Sequence, residues 1–306
     1  MVEQRLKTGL VGAGVFAGYH ASKIQASEMT DFTGVYDRHD ERARALVTKY
    51  DGRVFDDLEG VLEASDAVIV ASPASSHYEI GMQVLEAGCH LLMEKPLALS
   101  AAEAIEIAAL AARKGLVLQV GHQERVVCRA LGLFDISERP EAVEIVRAGP
   151  PPPGGRAMDI SVIWDLMIHD IDLVHALVGA PIGQVHCQGR TELGEHLDEA
   201  VARYKIDGVD IKLTASRTSA KRVRHMILTY AAGTIHLDFL SRTIKNTTPF
   251  AMADNLGDLV SDPLGAADEM FFMACSGFGE PLLTGQEAAR AVATAEALSD
   301  AVIVGL

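Results

Sequence analysis

The chain has 306 residues and a formal net charge of −15, which is long enough for two domains with substantial cores. The acidic balance argues against a nucleic-acid or anionic-membrane surface as a partner. No apolar stretch approaches the length of a membrane span, and the short apolar run 10–17 lacks signal-peptide flanks. The cysteines are scattered without a CxxC pair, which fits a reducing compartment and gives no zinc site. We therefore expect a cytoplasmic protein.

A glycine-rich turn follows the first predicted strand, 6–11. The turn has the pattern GxGxxA and leads into a predicted helix. Gly12 permits the tight turn, Gly14 lets the backbone approach a pyrophosphate, and Ala17 allows close helix–strand packing. The helix N-terminus offers free N–H groups to the phosphates. We therefore expect a dinucleotide to contact Gly12, Gly14, Val15 and Phe16.

The second predicted strand, 32–37, ends in an acid. Asp37 stands twenty positions after Ala17, where a carboxylate accepts hydrogen bonds from ribose hydroxyls and repels a 2′-phosphate. The cofactor is therefore predicted to be NAD rather than NADP. Arg38 follows directly and could pair with a 2′-phosphate, so that use of both cofactors stays open.

Two further predicted strands end in polar segments. Strand 66–71 leads into Ser72-Pro73 and His77, and strand 90–93 leads into Glu94-Lys95-Pro96. In open α/β sheets, ligands bind at the carboxyl ends of the strands. These residues are therefore candidate cofactor contacts. Taken alone, however, His77 would more often cap the following helix, and structural pairing is the safer interpretation of Glu94. Lys95, a charge at the end of a buried strand, is the first candidate for a catalytic residue.

The alternation of strands and helices predicts the fold class and the domains. Strand and helix alternate six times by Gly121, which is typical of a doubly wound parallel sheet. We expect a Rossmann domain over 1–121 and an α+β domain with an open, mainly antiparallel sheet over 122–306. In the second half, the clearest strands are 185–190, 200–205, 209–216, 223–230 and 234–239. A helix is expected over 285–302.

The most informative part of the second half is Trp164 to Leu173. Asp165 and His169 have i, i+4 spacing, so on an α-helix they share a face, where the carboxylate can orient and charge the imidazole. Asp172 falls one turn further along. Two acids and a histidine at this spacing can also bind a cation, but no third histidine or glutamate accompanies them, so no metal is expected.

Taken together, these motifs resemble the glucose–fructose oxidoreductase / inositol dehydrogenase / MocA family of NAD(P)-dependent sugar oxidoreductases. The resemblance rests on Gly12–Ala17, Ser72-Pro73 with His77, Glu94-Lys95-Pro96, Gly121-His122, and Asp165 with His169. It implies that Lys95, Asp165 and His169 are the catalytic set. It also implies a homodimer or homotetramer formed through the C-terminal sheet.

A narrower resemblance is to the branch that includes UDP-N-acetylglucosamine 3-dehydrogenases. It is carried by Arg147-Ala-Gly-Pro150, Arg156, Asp159 and 165–172. The sequence departs from this branch after Arg125, where Phe, Asn and Pro are replaced by Val126, Val127 and Cys128. The resemblance implies oxidation of a secondary hydroxyl of a nucleotide sugar, at the 3-position of UDP-N-acetylglucosamine. The alternatives are a free sugar or inositol-like polyol as substrate, or a non-catalytic NAD(P)-sensing regulator.

Roles for individual residues follow from that chemistry. His169 is the preferred proton acceptor, because its ordinary pKa of about 6.5 suits a base near neutrality. Lys95 would stabilise the developing alkoxide, and the two roles could be exchanged. A diphosphate needs cations, for which Arg156 is the first choice and Arg125 the second. A basic cluster formed by Arg217, Lys221, Arg222 and Arg224 could serve the same purpose or simply form a solvated turn.

Overall fold

The computed structural model describes residues 5–151, 158–179, 183–253 and 260–304. The chain forms two compact units, Met1–Gln123 with Asp262–Ala289, and Glu124–Ser261 with Arg290–Leu306. The first division lies two residues from the expected boundary after 121. The return of 262–289 to the first unit differs from the unbroken second domain expected over 122–306.

The first unit is built on a parallel sheet. Its strands are β1 (Leu6–Val11), β2 (Thr30–Tyr36), β3 (Arg53–Val54), β4 (Ala67–Val70), β5 (His90–Met93) and β6 (Leu118–Val120). Their spatial order is β3-β2-β1-β4-β5-β6, which is the doubly wound order of a Rossmann fold. All residues of β4 are buried, as a strand covered by helices on both faces requires. The expected Rossmann architecture is confirmed.

Helices connect these strands. They are α1 (Val15–Ala26), α2 (Asp40–Val47), α3 (Leu58–Ala64), α4 (His77–Glu86) and α5 (Ala101–Lys114). The two ends of helix α5 are set by capping residues in the sequence. The Ser100 side chain accepts a hydrogen bond from the Glu103 N–H at its start, and Gly115 ends it with φ +66°.

In the described part of the remaining chain, four more α-helices follow. They are α6 (Glu124–Ala130), α7 (Ile168–Val178), α8 (Pro263–Cys275) and α9 (Gly285–Asp300). Helix α8 lies in the segment that returns to the first unit.

Burial and hydrogen bonding explain why this segment belongs to the first unit. Phe271 and Phe272 of α8 are fully buried in one apolar cluster with Leu10 and Ile24. Each such side chain contributes about 1.5–3 kcal/mol by burial. The buried amide of Gln119 also donates to the Ala267 carbonyl at 2.8 Å and accepts from the Leu282 N–H at 2.8 Å.

The second unit is built on a mixed, mainly antiparallel sheet. Its strands are β7 (Ala142–Ala148), β8 (Val185–Arg190), β9 (Glu199–Ile206), β10 (Val209–Ser216), β11 (Val223–Tyr230), β12 (Gly233–Asp238), β13 (Thr243–Asn246) and β14 (Val302–Val304). Their order is β13-β12-β11-β7-β10-β9-β8-β14, with β7–β10 and β8–β14 the parallel pairs. Buried and less buried residues alternate along β7 and β9, so the sheet has one covered face.

The expected strands are present, and the structure adds others. Strands β7, β13 and β14 were not expected from the sequence, and α9 ends at Asp300 rather than near 302. The turn between β9 and β10 has Asp207 at φ +47° and Gly208 at φ +86°, as a tight Asp-Gly hairpin requires. All four cysteines are free thiols. Within the described ranges, no helix combines the length and apolar character needed to cross a membrane.

Candidate active site

The turn after β1 fits the diphosphate of a dinucleotide. Gly12 has φ +96°, and a Cβ there would lie 2.7 Å from the Ala71 carbonyl oxygen, so glycine is required. A Cβ on Gly14 would meet no protein atom within 4 Å, which leaves space beside the backbone. Gly14 also caps α1 without a side-chain hydrogen bond, and no acid occupies the first turn. The N-terminal N–H groups beside Val15 and Phe16 are therefore suited to an anion.

Asp37 is fixed against that turn. Its Oδ2 accepts a hydrogen bond from the Ala13 N–H at 2.7 Å, and its Oδ1 accepts one from the His39 N–H at 2.7 Å. The side chain is about 10% exposed, so the carboxylate is held at the end of β2 with part of its surface open. Arg38 beside it is exposed. This placement suits a carboxylate that binds ribose hydroxyls.

The segment after β4 is held by a buried histidine. Ser72 is partly exposed and Pro73 is exposed, whereas His77 is buried at the start of α4. Its Nδ1 lies 2.6 Å from the Pro96 carbonyl oxygen and its Nε2 lies 3.0 Å from the Ser72 carbonyl oxygen. Burial lowers the pKa of His77, and both ring nitrogens are occupied by carbonyl groups of the protein. These contacts give His77 a bracing role, and its expected contact with the cofactor stays a prediction.

Glu94 belongs to a second buried network, in which His20 lies between two carboxylates. Its Oε1 lies 3.1 Å from His20 Nε2, and Nδ1 of the same ring lies 2.8 Å from Asp268 Oδ2. Burial by itself would lower the pKa of His20, but the charges and hydrogen bonds of Asp268 and then Glu94 raise it to about 10. Glu94 was expected to contact the cofactor; the structure gives this carboxylate a buried ion pair with His20.

Lys95 lies between these two anchored positions. It follows β5 closely, is half-buried, and is joined to Pro96 by a cis peptide bond. Glu94 before it pairs with His20, and the Pro96 carbonyl after it contacts His77. The backbone on both sides of Lys95 is therefore held by buried histidines, which fixes where its side chain begins.

In the second unit, Asp165 and His169 lie on a helix that is not regular. Residues Ile163–Met167 form a π-helical turn, and α7 begins at Ile168. Because a π-turn contains an extra residue, the spacing of a regular α-helix does not fix which face these two side chains share. Asp165 is buried, and the His169 side chain is 15% exposed. His169 Nδ1 lies 3.1 Å from Oε2 of Glu124.

Glu124 joins His169 to two arginines. Its Oε1 accepts from Arg147 Nη1 at 2.9 Å and from Arg224 Nη1 at 3.2 Å. Burial would raise the pKa of Glu124, but His169, Arg147 and Arg224 hold it well below its usual range. Glu124 is therefore a carboxylate in the charged form, and it favours a protonated imidazole on His169.

Two arginines beside this network have buried partners. Arg125 binds Asp172 through Nε and Nη2, both at 2.8 Å, and both side chains are buried. Arg147 binds Asp170 through Nη2 at 2.7 Å as well as Glu124. The structure therefore shows Arg125 in a buried ion pair with Asp172, and its expected diphosphate role stays a prediction. Arg156, the first choice for that role, lies outside the described residues.

A cavity of about 400 Å³ opens beside Asp165 within the second unit. Its lining includes the loop after β7 and the start of β11, with Asp165, Leu166, Arg217, Arg222 and Arg224 among the side chains. This volume is in the range of small-molecule sites. In the described ranges, no three His, Cys, Asp or Glu side chains are grouped so as to hold a metal ion.

The sequence did not identify three residues of these networks. His20 and Asp268 are 248 positions apart and meet only through the return of α8 to the first unit, so no local pattern could reveal them. Glu124 carried a weak signal, since it follows Gly121-His122 at the end of the last Rossmann strand.

Comparison with known proteins gives consistent results. The family profile described as the oxidoreductase family with an NAD-binding Rossmann fold, Gfo/Idh/MocA, matches residues 6–122. UDP-N-acetylglucosamine 3-dehydrogenase of Acidithiobacillus ferrooxidans is 33% identical over 245 residues, which cover 78% of this chain and 76% of that protein. The solved structure of that organism's enzyme GnnA superposes with a TM-score of 0.90 at 30% identity, covering 98% of both chains. scyllo-Inositol 2-dehydrogenase (NAD(+)) of Bacillus subtilis is 28% identical over 71% of this chain and 69% of its own length.

Proposed function

Because this chain belongs to the Gfo/Idh/MocA family of NAD-binding oxidoreductases, we propose that it oxidises a secondary hydroxyl of a nucleotide sugar. The first candidate substrate is UDP-N-acetylglucosamine, oxidised at its 3-position. The observation that carries this proposal is the cavity in which Asp165 and several arginines lie together. A carboxylate suits the hydroxyl-bearing ring, and cations suit a diphosphate. The similarity to a UDP-N-acetylglucosamine 3-dehydrogenase over nearly the whole chain supports the same substrate.

The cofactor site supplies the oxidant. NAD, when bound, accepts the hydrogen of the sugar carbon as a hydride at its nicotinamide ring. Gly12 and Gly14 would admit the pyrophosphate, with the N–H groups of Val15 and Phe16 beside it. Asp37 would bind the ribose hydroxyls and so favour NAD. Ser72 and Pro73 would line the nicotinamide side, where the loop is held in place by His77.

The catalytic set handles the hydroxyl proton. His169 takes the proton as general base, because an imidazole is readily protonated near neutrality. Asp165 and Glu124 stabilise the resulting imidazolium, and Glu124 lies 3.1 Å from Nδ1. With Nδ1 facing Glu124, Nε2 would be the nitrogen that faces the substrate. Lys95 donates to the same substrate oxygen and stabilises its developing negative charge. The exchanged assignment, with Lys95 as base, remains the alternative.

The test is to follow NADH appearance at 340 nm with UDP-N-acetylglucosamine, other UDP-sugars, free sugars and inositols. We expect turnover with UDP-N-acetylglucosamine and little with the corresponding free sugar. Turnover restricted to inositols would favour the polyol dehydrogenase. Binding of NADH without turnover of any compound would favour the cofactor-sensing regulator and contradict the proposal.

The same proposal includes a cytoplasmic homo-oligomer. The large sheet leaves alternate residues of β9 and β10, such as Arg203, Lys205 and Asp210, exposed on one face. A homodimer or homotetramer would cover that face. Light scattering coupled to size-exclusion chromatography tests it, and a monomer at micromolar concentration would contradict it.

A further inference from the structure

We propose that Arg222 and Arg224, at the start of β11, form a subsite for the phosphate groups of the substrate. This inference rests on the proposed function and refines it, because it assigns the part of the substrate that carries charge. It gives a role to Arg222 and Arg224 of the basic cluster, and it assigns the phosphate contact to them rather than to Arg125. The ligand chemistry is a phosphate ester on a sugar, as in a sugar nucleotide or a sugar monophosphate.

The position of the two arginines carries the first step. Both line the 400 Å³ cavity that also contains Asp165. Arg222 packs against the loop after β7, since a Cβ on Gly149 would lie 3.6 Å from its Cγ. A ligand in this cavity can therefore present a hydroxyl-bearing end to Asp165 and an anionic end to the arginines.

The other arginines of the cavity are neutralised by buried acids. Arg147 is held by Asp170 at 2.7 Å and by Glu124 at 2.9 Å. Arg217 is held by Asp198 at 2.6 Å, with both side chains buried. An arginine whose N–H groups are directed at a buried carboxylate has few donors left for a ligand. These pairs form a rigid support behind the subsite.

Arg222 and Arg224 differ from them in this respect. Among the described residues, Arg222 has no ion-pair partner, and it is exposed. Arg224 shares one oxygen of Glu124 with Arg147 at a longer distance of 3.2 Å, and its side chain is 39% exposed. The positive charge of Arg222 is therefore available to a phosphate, and part of the Arg224 side chain is exposed as well.

The electrostatic environment points in the same direction. Burial and then the nearby charges of Arg147 and Arg222 lower the pKa of Arg224, although Glu124 and Asp170 oppose this. The guanidinium groups therefore repel one another in the free protein. A bound phosphate would relieve this repulsion and form charge-assisted hydrogen bonds with the planar guanidinium forks.

The test measures the binding of UDP, uridine and glucose 6-phosphate by titration calorimetry, with NADH present. The proteins are wild type, Arg222→Ala, Arg222→Lys and Arg224→Ala, with Lys221→Ala as the matched control. Lys221 is the exposed neighbour that does not line the cavity. Thermal melts establish that each variant is folded, and exposure of Arg222 makes its replacement safe for folding.

We expect Arg222→Ala to weaken UDP binding by about tenfold, the loss typical of one hydrogen bond to a charged group. Uridine and NADH affinity should not change, and Arg222→Lys should recover part of the loss. Arg224→Ala should weaken UDP binding as well, and Lys221→Ala should stay within about twofold of wild type. Arginine-dependent binding of glucose 6-phosphate without UDP binding would support the subsite and identify a sugar monophosphate as its ligand.

Unchanged UDP affinity in Arg222→Ala, or equal losses in Arg222→Ala and Lys221→Ala, would overturn the inference. It would also be overturned if wild type bound neither UDP nor glucose 6-phosphate. The proposed function fails in a different way. Arginine-dependent UDP binding without oxidation of any sugar would remove the dehydrogenase and leave the subsite intact.

Discussion

Nε2 of His20 lies 3.1 Å from Oε1 of Glu94, the residue directly before the candidate catalytic Lys95. His20 is fully buried in α1, and its other ring nitrogen contacts Asp268 of α8 at 2.8 Å. A charged imidazolium between two carboxylates therefore fixes the backbone at the end of β5. Gly121 packs against the same carboxylate, since a Cβ there would lie 2.6 Å from Glu94 Oε1.

We expect His20 to stay protonated in the folded protein up to pH of about 9, because its pKa is raised to about 10. The ring proton and nitrogen signals of His20, followed by NMR between pH 6 and 10, measure this directly. A neutral His20 ring at pH 7.5 would contradict it.

The raised pKa also sets the direction of a stability change with pH. A group with a folded pKa of about 10 and an unfolded pKa of about 6.5 contributes stability that is fully present below pH 6.5. That contribution is lost as pH rises through 10. Asp268, whose pKa burial raises, changes stability in the same direction. In urea unfolding, the wild type should therefore have a larger free energy of unfolding than the uncharged variant H20Q/E94Q/D268N. This difference should become smaller between pH 6.5 and pH 10. A constant difference would refute this.

Glu124→Gln should destabilise the second unit at neutral pH. The replacement removes the carboxylate that Arg147 and Arg224 share as an ion-pair partner. Breaking a buried ion pair costs about 3–5 kcal/mol. Because the folded pKa of Glu124 lies well below its usual value, the contribution is present above about pH 4.5 and is lost as pH falls through the folded pKa. The measured loss should therefore be large at pH 7 and smaller below pH 4.

The matched control is Glu144→Gln, which breaks the half-exposed pair with Lys212 on the same sheet. It should cost less than about 1 kcal/mol. The same Glu124 variant should also shift the acidic limb of the kcat/KM profile to lower pH, because His169 loses a charge that favours its protonated form. If Glu124 had only a structural role, Glu124→Gln would lower the amount of folded enzyme without shifting the acidic limb of the profile.

Gly12 and Gly14 should respond differently to the same substitution. Gly12→Ala places a Cβ 2.7 Å from the Ala71 carbonyl oxygen at φ +96°, so it should lower the free energy of unfolding by more than about 1 kcal/mol. Gly14→Ala meets no protein atom within 4 Å, so it should fold normally yet weaken NADH binding by about tenfold. Gly18→Ala, in the next turn of α1, should leave NADH affinity unchanged. Fluorescence titration of NADH and thermal melts separate these outcomes.

Lys95→Met and His169→Ala should each lower kcat by at least about a hundredfold, because each removes a group that handles charge or a proton at the reacting oxygen. NADH affinity should change little in His169→Ala and remain measurable in Lys95→Met. The exposed Lys49→Met serves as the control. Substantial activity in both catalytic variants would remove this assignment.

The strands and turns that carry the candidate cofactor site could be predicted from the sequence. The GxGxxA turn, Asp37 at the end of a strand and Lys95 after β5 are local patterns, because the limits of a strand and the turn that follows depend mainly on neighbouring residues. The hairpin at Asp207-Gly208 and the strands around it could be predicted for the same reason.

The roles of other residues depend on contacts between segments that are far apart in the sequence. His77 and Glu94 looked like cofactor contacts, yet the fold gives them Pro96 and His20 as partners. Arg125 looked like a substrate contact, yet it is buried against Asp172. A charged side chain taken from water must find a partner to offset its desolvation, and which partner it finds depends on which elements pack together.

The sequence by itself therefore determined the doubly wound first unit, the family and the dinucleotide turn, because these depend on short-range periodicity and on glycines at fixed spacing. Only the tertiary structure decided that 262–289 completes the first unit and that Glu124 pairs with His169. It also decided which arginines remain open in the cavity beside Asp165. The physical reason is that ion pairs are selected by three-dimensional proximity and burial, neither of which is encoded in local spacing.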